Sequence, residues 1–383
     1  MKIIQATEYY FPDVERGIER FVYELSKGLM AGGHNITVIT GGRKQKARVH
    51  DMDVLYAPMY GKSIMKATRN LYDQRLTYVP SSLSMISRES PDIVHAHHFG
   101  GGYAASLIKM TRGIPYIMTV HVVPGASVLA SPVPIYRNMY KKALLNAGLV
   151  VSVAGYVRDA VLKDFKIDSE VVPLSVDTQH FRPSPDRKEL KRELGLPDSP
   201  VVLMVASLND RRKRADMLIS AMPRIKKTVR DAKLVLAGGA SDEMLSYFRN
   251  LAEKHGVLDS TLFTGRLDEQ TLVKYYAAAD VFVLPSKEEA AGLVILEAMA
   301  SGTPVVGSAS GGIPEYVRDG KNGLLFNPEC VDDLSDKISC ILKDEKLMTD
   351  MGRTGRSLAV SVHSWEAAAR SYSAIYERVV SKR

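Results

Sequence analysis

The sequence predicts an α/β protein of two domains, each a doubly wound parallel sheet, and three observations carry that prediction. At 383 residues the chain is longer than one ordinary domain. In both halves, short β-branched apolar runs alternate with stretches of helical periodicity, the pattern of parallel strands joined by crossover helices. These runs end in glycine, proline or polar turns, most completely from Val281 to Val317, VFVLPSKEEAAGLVILEAMASGTPVVGSASGGIPEYV. Ligands of such sheets bind beyond the carboxyl ends of the strands, so those turns are where site residues are expected.

Hydrophobic residues make up 45% of the chain and charged residues 25%, the mix of a globular protein. Two cysteines, Cys330 and Cys340, cannot build a disulfide framework and point to a reducing cytoplasm. The opening MKIIQATEYYF runs straight into a strand and lacks the apolar core of a signal peptide. No apolar run reaches the roughly eighteen residues that would span a bilayer. The formal charge of +8 is uneven, with +7 in residues 1–173 and +1 in residues 174–383. That asymmetry fits an anionic membrane surface, nucleic acid, an acidic substrate or a solvated basic face.

Taken in order, Lys2 to Thr7 reads as a strand, followed by a loop with Tyr9, Tyr10, Phe11, Pro12 and Gly17. A helix with apolar Phe21, Val22, Leu25 and Leu29 stops at Gly32-Gly33, and Ile36 to Thr40 is the next strand. Arg43 to Arg48 reads as a basic loop. Asp51-Met52-Asp53 has the spacing of a metal-binding pair, but it stands just ahead of strand-like Val54-Leu55-Tyr56 and reads as a solvated turn. Ile93 to His98 is a strand ending in histidines, with Gly100-Gly101-Gly102 opening the next helix. His95 and His97 share a strand face with no cysteine or carboxylate at ligand spacing, so they read as core or cleft lining rather than metal ligands. Tyr116 to Val120 is a strand closed by His121. Ser131 to Lys142 interleaves Tyr136 and Tyr140 with Arg137, Lys141 and Lys142, and residues 101–150 hold five basic residues and no acidic one. Gly148 to Val153 and Val171-Val172-Pro173 read as the last strands of the first half. Residues 182–200, rich in proline and charge, read as a link into a second sheet that begins at Val201 to Ala206 and continues with Leu234 to Ala237. The segment after Trp365 is helical in pattern.

The stretch from Val281 carries the chemistry. Val281 to Leu284 has the length of a buried strand, ended by Pro285, which has no amide hydrogen to donate. Ala290 to Ala300 is apolar all round apart from Glu297, and reads as a buried helix containing one charge. A carboxylate there is costly unless paired, so Glu297 is expected to face a cleft in which a ligand supplies hydrogen-bond donors. Glu289 lies at the mouth of the same helix. Val305 to Gly307 reads as a further strand, and Gly311-Gly312 leads into a helix with Pro314 in its first turn. Both helix starts are expected to aim free amides at the ligand edge, as an anion site.

Glu289, seven intervening residues and Glu297, with Pro285-Ser286 before them and Ala298, Gly302, Pro304-Val305-Val306 and Gly311-Gly312-Ile313-Pro314-Glu315 after, resemble the donor-site signature of the retaining glycosyltransferases of family 4. The resemblance implies the GT-B architecture, two Rossmann-like domains facing one another across a cleft. Residues 1–178 would be the acceptor-binding domain, completed by a carboxyl-terminal crossover helix of about residues 366–383, and residues 179–365 the nucleotide-sugar domain. It implies transfer from a nucleoside-diphosphate sugar to a hydroxyl acceptor with retention of anomeric configuration, with no metal and no cofactor. His121, Glu289 and Lys213 match the catalytic positions. Lys213, with neighbouring Arg212, would hold the donor diphosphate together with the amides near Gly292 and Leu293. Glu297 would hold the ribose, Glu289 the transferred sugar, and Gly17 belongs to the glycine loop of the first domain. Two positions depart from the family pattern: Arg16 stands where the first loop glycine is usual, and Ser207 where the family has a diphosphate-binding arginine, leaving Arg211, Arg212 or Arg214 to supply that charge.

The basic first half and the mixing of aromatic with basic side chains point to a lipid-linked or glycan acceptor and to contact with an anionic membrane, with no nucleic acid partner. Tyr9, Tyr10, Arg137, Tyr140 and Lys141 are the candidates for acceptor or membrane contact. Two other functional classes are compatible with the same residues. One is a GT-B hydrolase or epimerase of nucleotide sugars, which acceptor-free turnover would reveal; the other is a donor-binding protein without transfer activity, for which binding without consumption would be the sign.

Overall fold

The computed structural model of the chain describes residues 1–14, 17–42, 46–49, 51–59, 72–124 and 134–382. Arg16 and the first residues of the Ser131–Lys142 stretch lie outside them. Two compact units divide the chain: Met1–Leu174 with Trp365–Arg383, and Ser175–Ser364. The boundaries thus fall at Leu174 and Ser364, a few residues before the expected ones.

The first unit runs β1 (Lys2–Ala6), α1 (Gly17–Ala31), β2 (Asn35–Gly42), β3 (Lys46–Val49), β4 (Met52–Pro58), α2 (Tyr72–Glu89), β5 (Ile93–His97), α3 (His98–Arg112), β6 (Tyr116–Val120), α4 (Pro134–Leu145), β7 (Leu149–Ser152), α5 (Gly155–Phe165) and β8 (Glu170–Val171). Its sheet has the order β3-β4-β2-β1-β5-β6-β7-β8, parallel except where β3 meets β4. Chain order reverses at β1, flanked by β2 and β5, which puts the loops after β1 and β5 at the switch point.

The second unit runs α6 (Arg187–Glu193), β9 (Val201–Val205), a 3-10 turn at Arg211–Lys213, α7 (Ala215–Thr228), β10 (Lys233–Ala237), α8 (Asp242–Lys254), β11 (Thr261–Gly265), α9 (Glu269–Ala278), β12 (Val281–Leu284), α10 (Leu293–Ala300), β13 (Val305–Ser308), α11 (Ile313–Tyr316), β14 (Gly323–Phe326), α12 (Val331–Lys343) and α13 (Glu345–Ser361). Its sheet, β11-β10-β9-β12-β13-β14, is parallel throughout and reverses between β9 and β12. The loops after those two strands hold Lys213 and Glu289.

Helix α14 (Trp365–Val380) returns to the first unit and packs on α1, where Phe21, Leu25, Trp365, Tyr372 and Tyr376 share one core with strand residues Ile3, Val38 and Ile117. Burying a large apolar side chain of this kind contributes about 1.5 to 3 kcal/mol. The second core is drawn from the same kinds of residue, including Val202, Met204, Leu218, Leu234, Val283 and Ile338.

Four local expectations are corrected by tertiary context. Part of the basic Arg43–Arg48 loop is strand β3, antiparallel to β4; cross-strand pairing decides such a strand more than its own composition. Its partner begins at Met52, and Asp53 and Asp51 pair with Lys46 at 3.1 Å and Arg48 at 3.5 Å on this hairpin. The expected link at 182–200 instead belongs to the second unit and contains α6. Asp186 caps that helix by accepting from Glu189 N at 2.8 Å, and Lys191 reaches the buried carboxylate of Asp280 at 2.7 Å. Helix α3 begins at His98, which was expected to end the strand, and the three glycines lie in its first turns. Helix α10 starts at Leu293, leaving Ala290 in the loop.

Candidate functional site

The loop between β12 and α10 is held by close backbone packing. Gly292 adopts φ of +80° and caps α10, a conformation that a side chain would strain. Gly311 N-terminal to α11 is equally required, because a Cβ there would lie 2.4 Å from the carbonyl oxygen of Glu289. Gly312 N donates to that same carbonyl at 2.8 Å, which fixes the backbone beneath the Glu289 side chain. Helix α10 has eight residues, and its first amides, at Leu293 and Val294, have no carbonyl one turn back to bind. The second helix start does not serve as expected: α11 is four residues long, and the amides of Gly312 and Ile313 are turned to Glu289 and Ser310 of their own chain.

Lys213 closes the 3-10 turn after β9, and its ammonium is hydrogen-bonded to the Glu289 carboxylate, the two side chains being 22% and 17% exposed. The backbone joins the same loops, since Lys287 N donates to Arg212 O at 2.8 Å. Of the other basic residues in the cluster, Arg212 is turned back on Asp210, with contacts of 3.0 and 2.8 Å that hold the Asp210 carboxyl below its ordinary range. Arg214 is committed to Pro328 O at 3.0 Å and to Glu329. Arg211 is exposed, as is Ser207 at the position where the family has an arginine. The structure therefore brings Lys213 to Glu289 and sends Arg212 and Arg214 elsewhere.

Glu297 is only partly covered and finds a donor within its own domain. The hydroxyl of Tyr276, on α9, donates to Glu297 Oε2 at 2.7 Å. Burial and the neighbouring carboxylate push the Tyr276 phenol well above its ordinary pKa, so it remains a donor. Sequence reasoning missed Tyr276. The signal was its place in an apolar run, KYYAAAD, where a buried phenol needs a partner.

In the first unit Glu8 follows β1, His97 ends β5, His98 opens α3 and His121 follows β6. Glu8 Oε1 accepts from Gly100 N at 2.5 Å, so a carboxylate of the chain meets the amino end of α3. The histidines form two hydrogen-bonded groups. His95 lies between Tyr376 Oη and Thr119 Oγ1, both at 2.7 Å, and is wholly buried, which holds it down to about 3. His97 lies between Gln5 Oε1 at 2.8 Å and His121 Nε2 at 3.0 Å. Desolvation is the leading reason that His97 and His121 are held well below the ordinary histidine range, and neighbouring imidazoles add to it. Phe21 packs edge-on against the His121 ring, with centroids 4.7 Å apart.

The remaining predicted residues are not gathered into these sites. Gly17 is the exposed first residue of α1, and among the described residues no atom lies within 4 Å of where a Cβ would stand, so their packing does not demand a glycine there. Tyr9 is half-buried, but Tyr10 is core, 3% exposed with its hydroxyl on Met52 Sδ. Tyr136 and Tyr140 are likewise buried, at 3% and 5%, because α4 turns its aromatic side inward onto Phe99 and Phe165. That corrects the expectation that these rings sit at a bilayer interface; Arg137, Lys141 and Lys142 on the same helix are exposed. Among the described residues no helix is long and apolar enough to cross a membrane.

Two parallel doubly wound domains of this topology define the GT-B fold. Solved structures agree on the fold: sucrose-phosphate synthase from Thermosynechococcus elongatus superposes with a TM-score of 0.85 over 100% of both chains at 24% identity. Anabaena Alr3699/HepE in complex with UDP and glucose does so with 0.79 over 99% of this chain and 100% of that one, at 19% identity. The chain belongs to glycosyltransferase family 4. Residues 16–180 match the model of Glycosyltransferase Family 4 and residues 186–358 that of Glycosyl transferases group 1. It is 34% identical over 353 residues, 86% of this chain and 90% of the relative, to a GDP-mannose-dependent alpha-(1-6)-phosphatidylinositol monomannoside mannosyltransferase of Mycobacterium tuberculosis. It is 32% identical over 305 residues, 76% of this chain and 72% of the relative, to a D-inositol 3-phosphate glycosyltransferase of Corynebacterium aurimucosum. The protein is thus an enzyme that transfers a sugar from a nucleotide-sugar donor.

Proposed function

We propose that this enzyme transfers its sugar to the hydroxyl of a lipid-linked or glycan acceptor, with retention of anomeric configuration and without a metal ion. The observation that supports the reading is the Lys213–Glu289 pair beside the glycine-capped start of α10. As the glycosidic bond to the diphosphate breaks, negative charge collects on the departing phosphate while the sugar becomes oxocarbenium-like. A fixed ammonium and the open amides of Leu293 and Val294 stabilise that charge without reorganising during the reaction. Glu289 holds Lys213 in place. With a donor bound, the diphosphate takes over the ammonium and Glu289 becomes an acceptor for the sugar hydroxyls. The Glu297 carboxylate, one oxygen already ordered by Tyr276, receives the ribose hydroxyls.

The lipid acceptor rests on a surface patch of the first unit. Arg137, Lys141 and Lys142 are exposed on α4, beside Leu145 at 57% and, at the end of α3, Met110 at 71%. Asn146 joins the two helix ends, accepting from Lys109 Nζ at 2.8 Å and reaching Met110 Sδ at 3.8 Å. Exposed apolar tips ringed by basic residues suit a peripheral contact with anionic lipid. The relative from Mycobacterium tuberculosis acts, by its name, on a phosphatidylinositol monomannoside.

The test is product analysis with GDP-mannose and UDP-glucose as donors and hydroxyl acceptors, lipid-linked and free, with and without EDTA. An α-linked product from these α-linked donors, formed at the same rate with EDTA, is expected. A β-linked product or a requirement for metal overturns the reading, and turnover as fast without acceptor as with it identifies a hydrolase.

A further inference from the structure

The Gln5–His97–His121 chain determines which nitrogen of His121 carries its proton. Gln5 and His97 are wholly buried on neighbouring strands β1 and β5, and His121 follows β6, the next strand in the sheet. Gln5 Oε1 faces His97 Nε2 at 2.8 Å, with the buried Gln5 Nε2 left without a hydrogen-bond partner among the described residues; an amide oxygen only accepts, so in this orientation His97 Nε2 carries a proton. A neutral imidazole has one such proton, which leaves His97 Nδ1 as a lone pair. That lone pair faces His121 Nε2 at 3.0 Å, so His121 is the donor there and holds its own proton on Nε2. Its Nδ1 is left unprotonated. No described residue is hydrogen-bonded to that nitrogen, the ring is not fully covered, and Phe21 against its face limits rotation. Among the described residues, the rings packed against the pair are those of His95, His98 and Phe21, and none of them supplies a carboxylate to stabilise an imidazolium.

We propose that Gln5 and His97 are positioning residues that lock His121 in the Nε2–H tautomer, so that its Nδ1 recognises a hydrogen-donating hydroxyl of the substrate and discriminates against analogues lacking that proton. The discrimination follows because a lone pair held rigidly against fluorine or an ether oxygen finds no donor and is left desolvated. His95, the other buried imidazole, is outside this chain of bonds: both of its nitrogens are taken by Tyr376 and Thr119. The proposal rests on the reading of His121 as a substrate contact, and the experiment separates the two.

The tautomer is read directly by long-range proton–nitrogen correlation spectra of the full-length protein labelled with 15N-histidine, with His121→Asn used to assign the signal. An unprotonated Nδ1 and protonated Nε2 on His121 are expected at pH 7. The opposite pattern overturns the assignment whatever the activity, and would mean that the Gln5 amide presents its nitrogen to His97. The second measurement is Gln5→Met, which keeps the volume and removes the accepting oxygen. It is expected to release His121 into a tautomer mixture and lower kcat about tenfold, the size of one neutral hydrogen bond, with KM for the donor nearly unchanged. A mixture of tautomers with kcat unchanged overturns the role of His121 in contacting substrate, while leaving its tautomer assigned. Loss of the fold in Gln5→Met leaves the wild-type spectrum to decide.

Discussion

Tyr276 donates its hydroxyl to Glu297 Oε2 at 2.7 Å, so the carboxylate at the centre of α10 is oriented by a phenol from α9 before any ligand arrives. Removing that hydroxyl in Tyr276→Phe is expected to weaken nucleotide binding by about 0.5 to 1.5 kcal/mol, the cost of ordering the freed Glu297 side chain on binding. Glu297→Gln should weaken it as well, because the neutral amide accepts less strongly. Calorimetric titration with nucleoside diphosphates measures both. Affinities equal to wild type in the two variants would remove Glu297 from the donor site.

The Lys213–Glu289 pair leads to a contrast between two variants. Lys213→Ala should raise the barrier to transfer by about 2 to 4 kcal/mol, seen in kcat/KM, because the departing phosphate loses its fixed cation. Glu289→Ala should slow turnover with little loss of nucleotide affinity. Arg212 and Arg214 are occupied by Asp210 and by Pro328 and Glu329, so their alanine variants are expected to matter less. If the loss appears in Arg211→Ala and not in Lys213→Ala, the diphosphate is held from the other end of the 3-10 turn.

The buried histidines make stability depend on pH. His95 is held down at about 3, and His97 and His121 also lie well below the ordinary value, chiefly through burial. In the unfolded chain each takes up a proton near pH 6.5, while the folded chain resists protonation. The unfolded state therefore binds more protons as pH falls, and stability is lost from about pH 6.5 downward, by up to about 1.4 kcal/mol per histidine per pH unit. Urea midpoints at pH 8 and pH 5 test this. An unchanged midpoint would contradict the burial of these rings.

The α4 patch is tested by sedimentation with vesicles. Binding is expected with phosphatidylglycerol, weakening with salt and falling in Arg137→Glu/Lys141→Glu, since each basic residue near such a surface is worth about 1 kcal/mol. Tyr140→Phe should leave binding unaltered, because that ring faces Phe165 inside the domain. No binding to any vesicle would sink the membrane reading.

What the sequence by itself determined is local or periodic. The β-branched runs, their turn glycines and the spacing of Glu289 from Glu297 specified parallel strands and a carboxylate pair on one loop and helix, because strand character, turn geometry and helix spacing are set within a few residues. Lys213 was legible only through the family resemblance, since by composition alone its loop reads as an exposed basic cluster. What only the tertiary structure decided depends on partners distant in the chain. Tyr276 reaches Glu297 from 21 residues earlier, and Gln5 meets His97 across 92. Arg212 and Lys213 are adjacent and equally basic, yet one folds onto Asp210 and the other onto Glu289, a choice made by where β12 places its loop beside β9. The tyrosines of α4 likewise read as an interfacial belt until packing turned them inward: Tyr136, Tyr140, Ala143 and Leu144 form one apolar stripe, and such a stripe marks the face to be covered without saying whether protein or bilayer covers it.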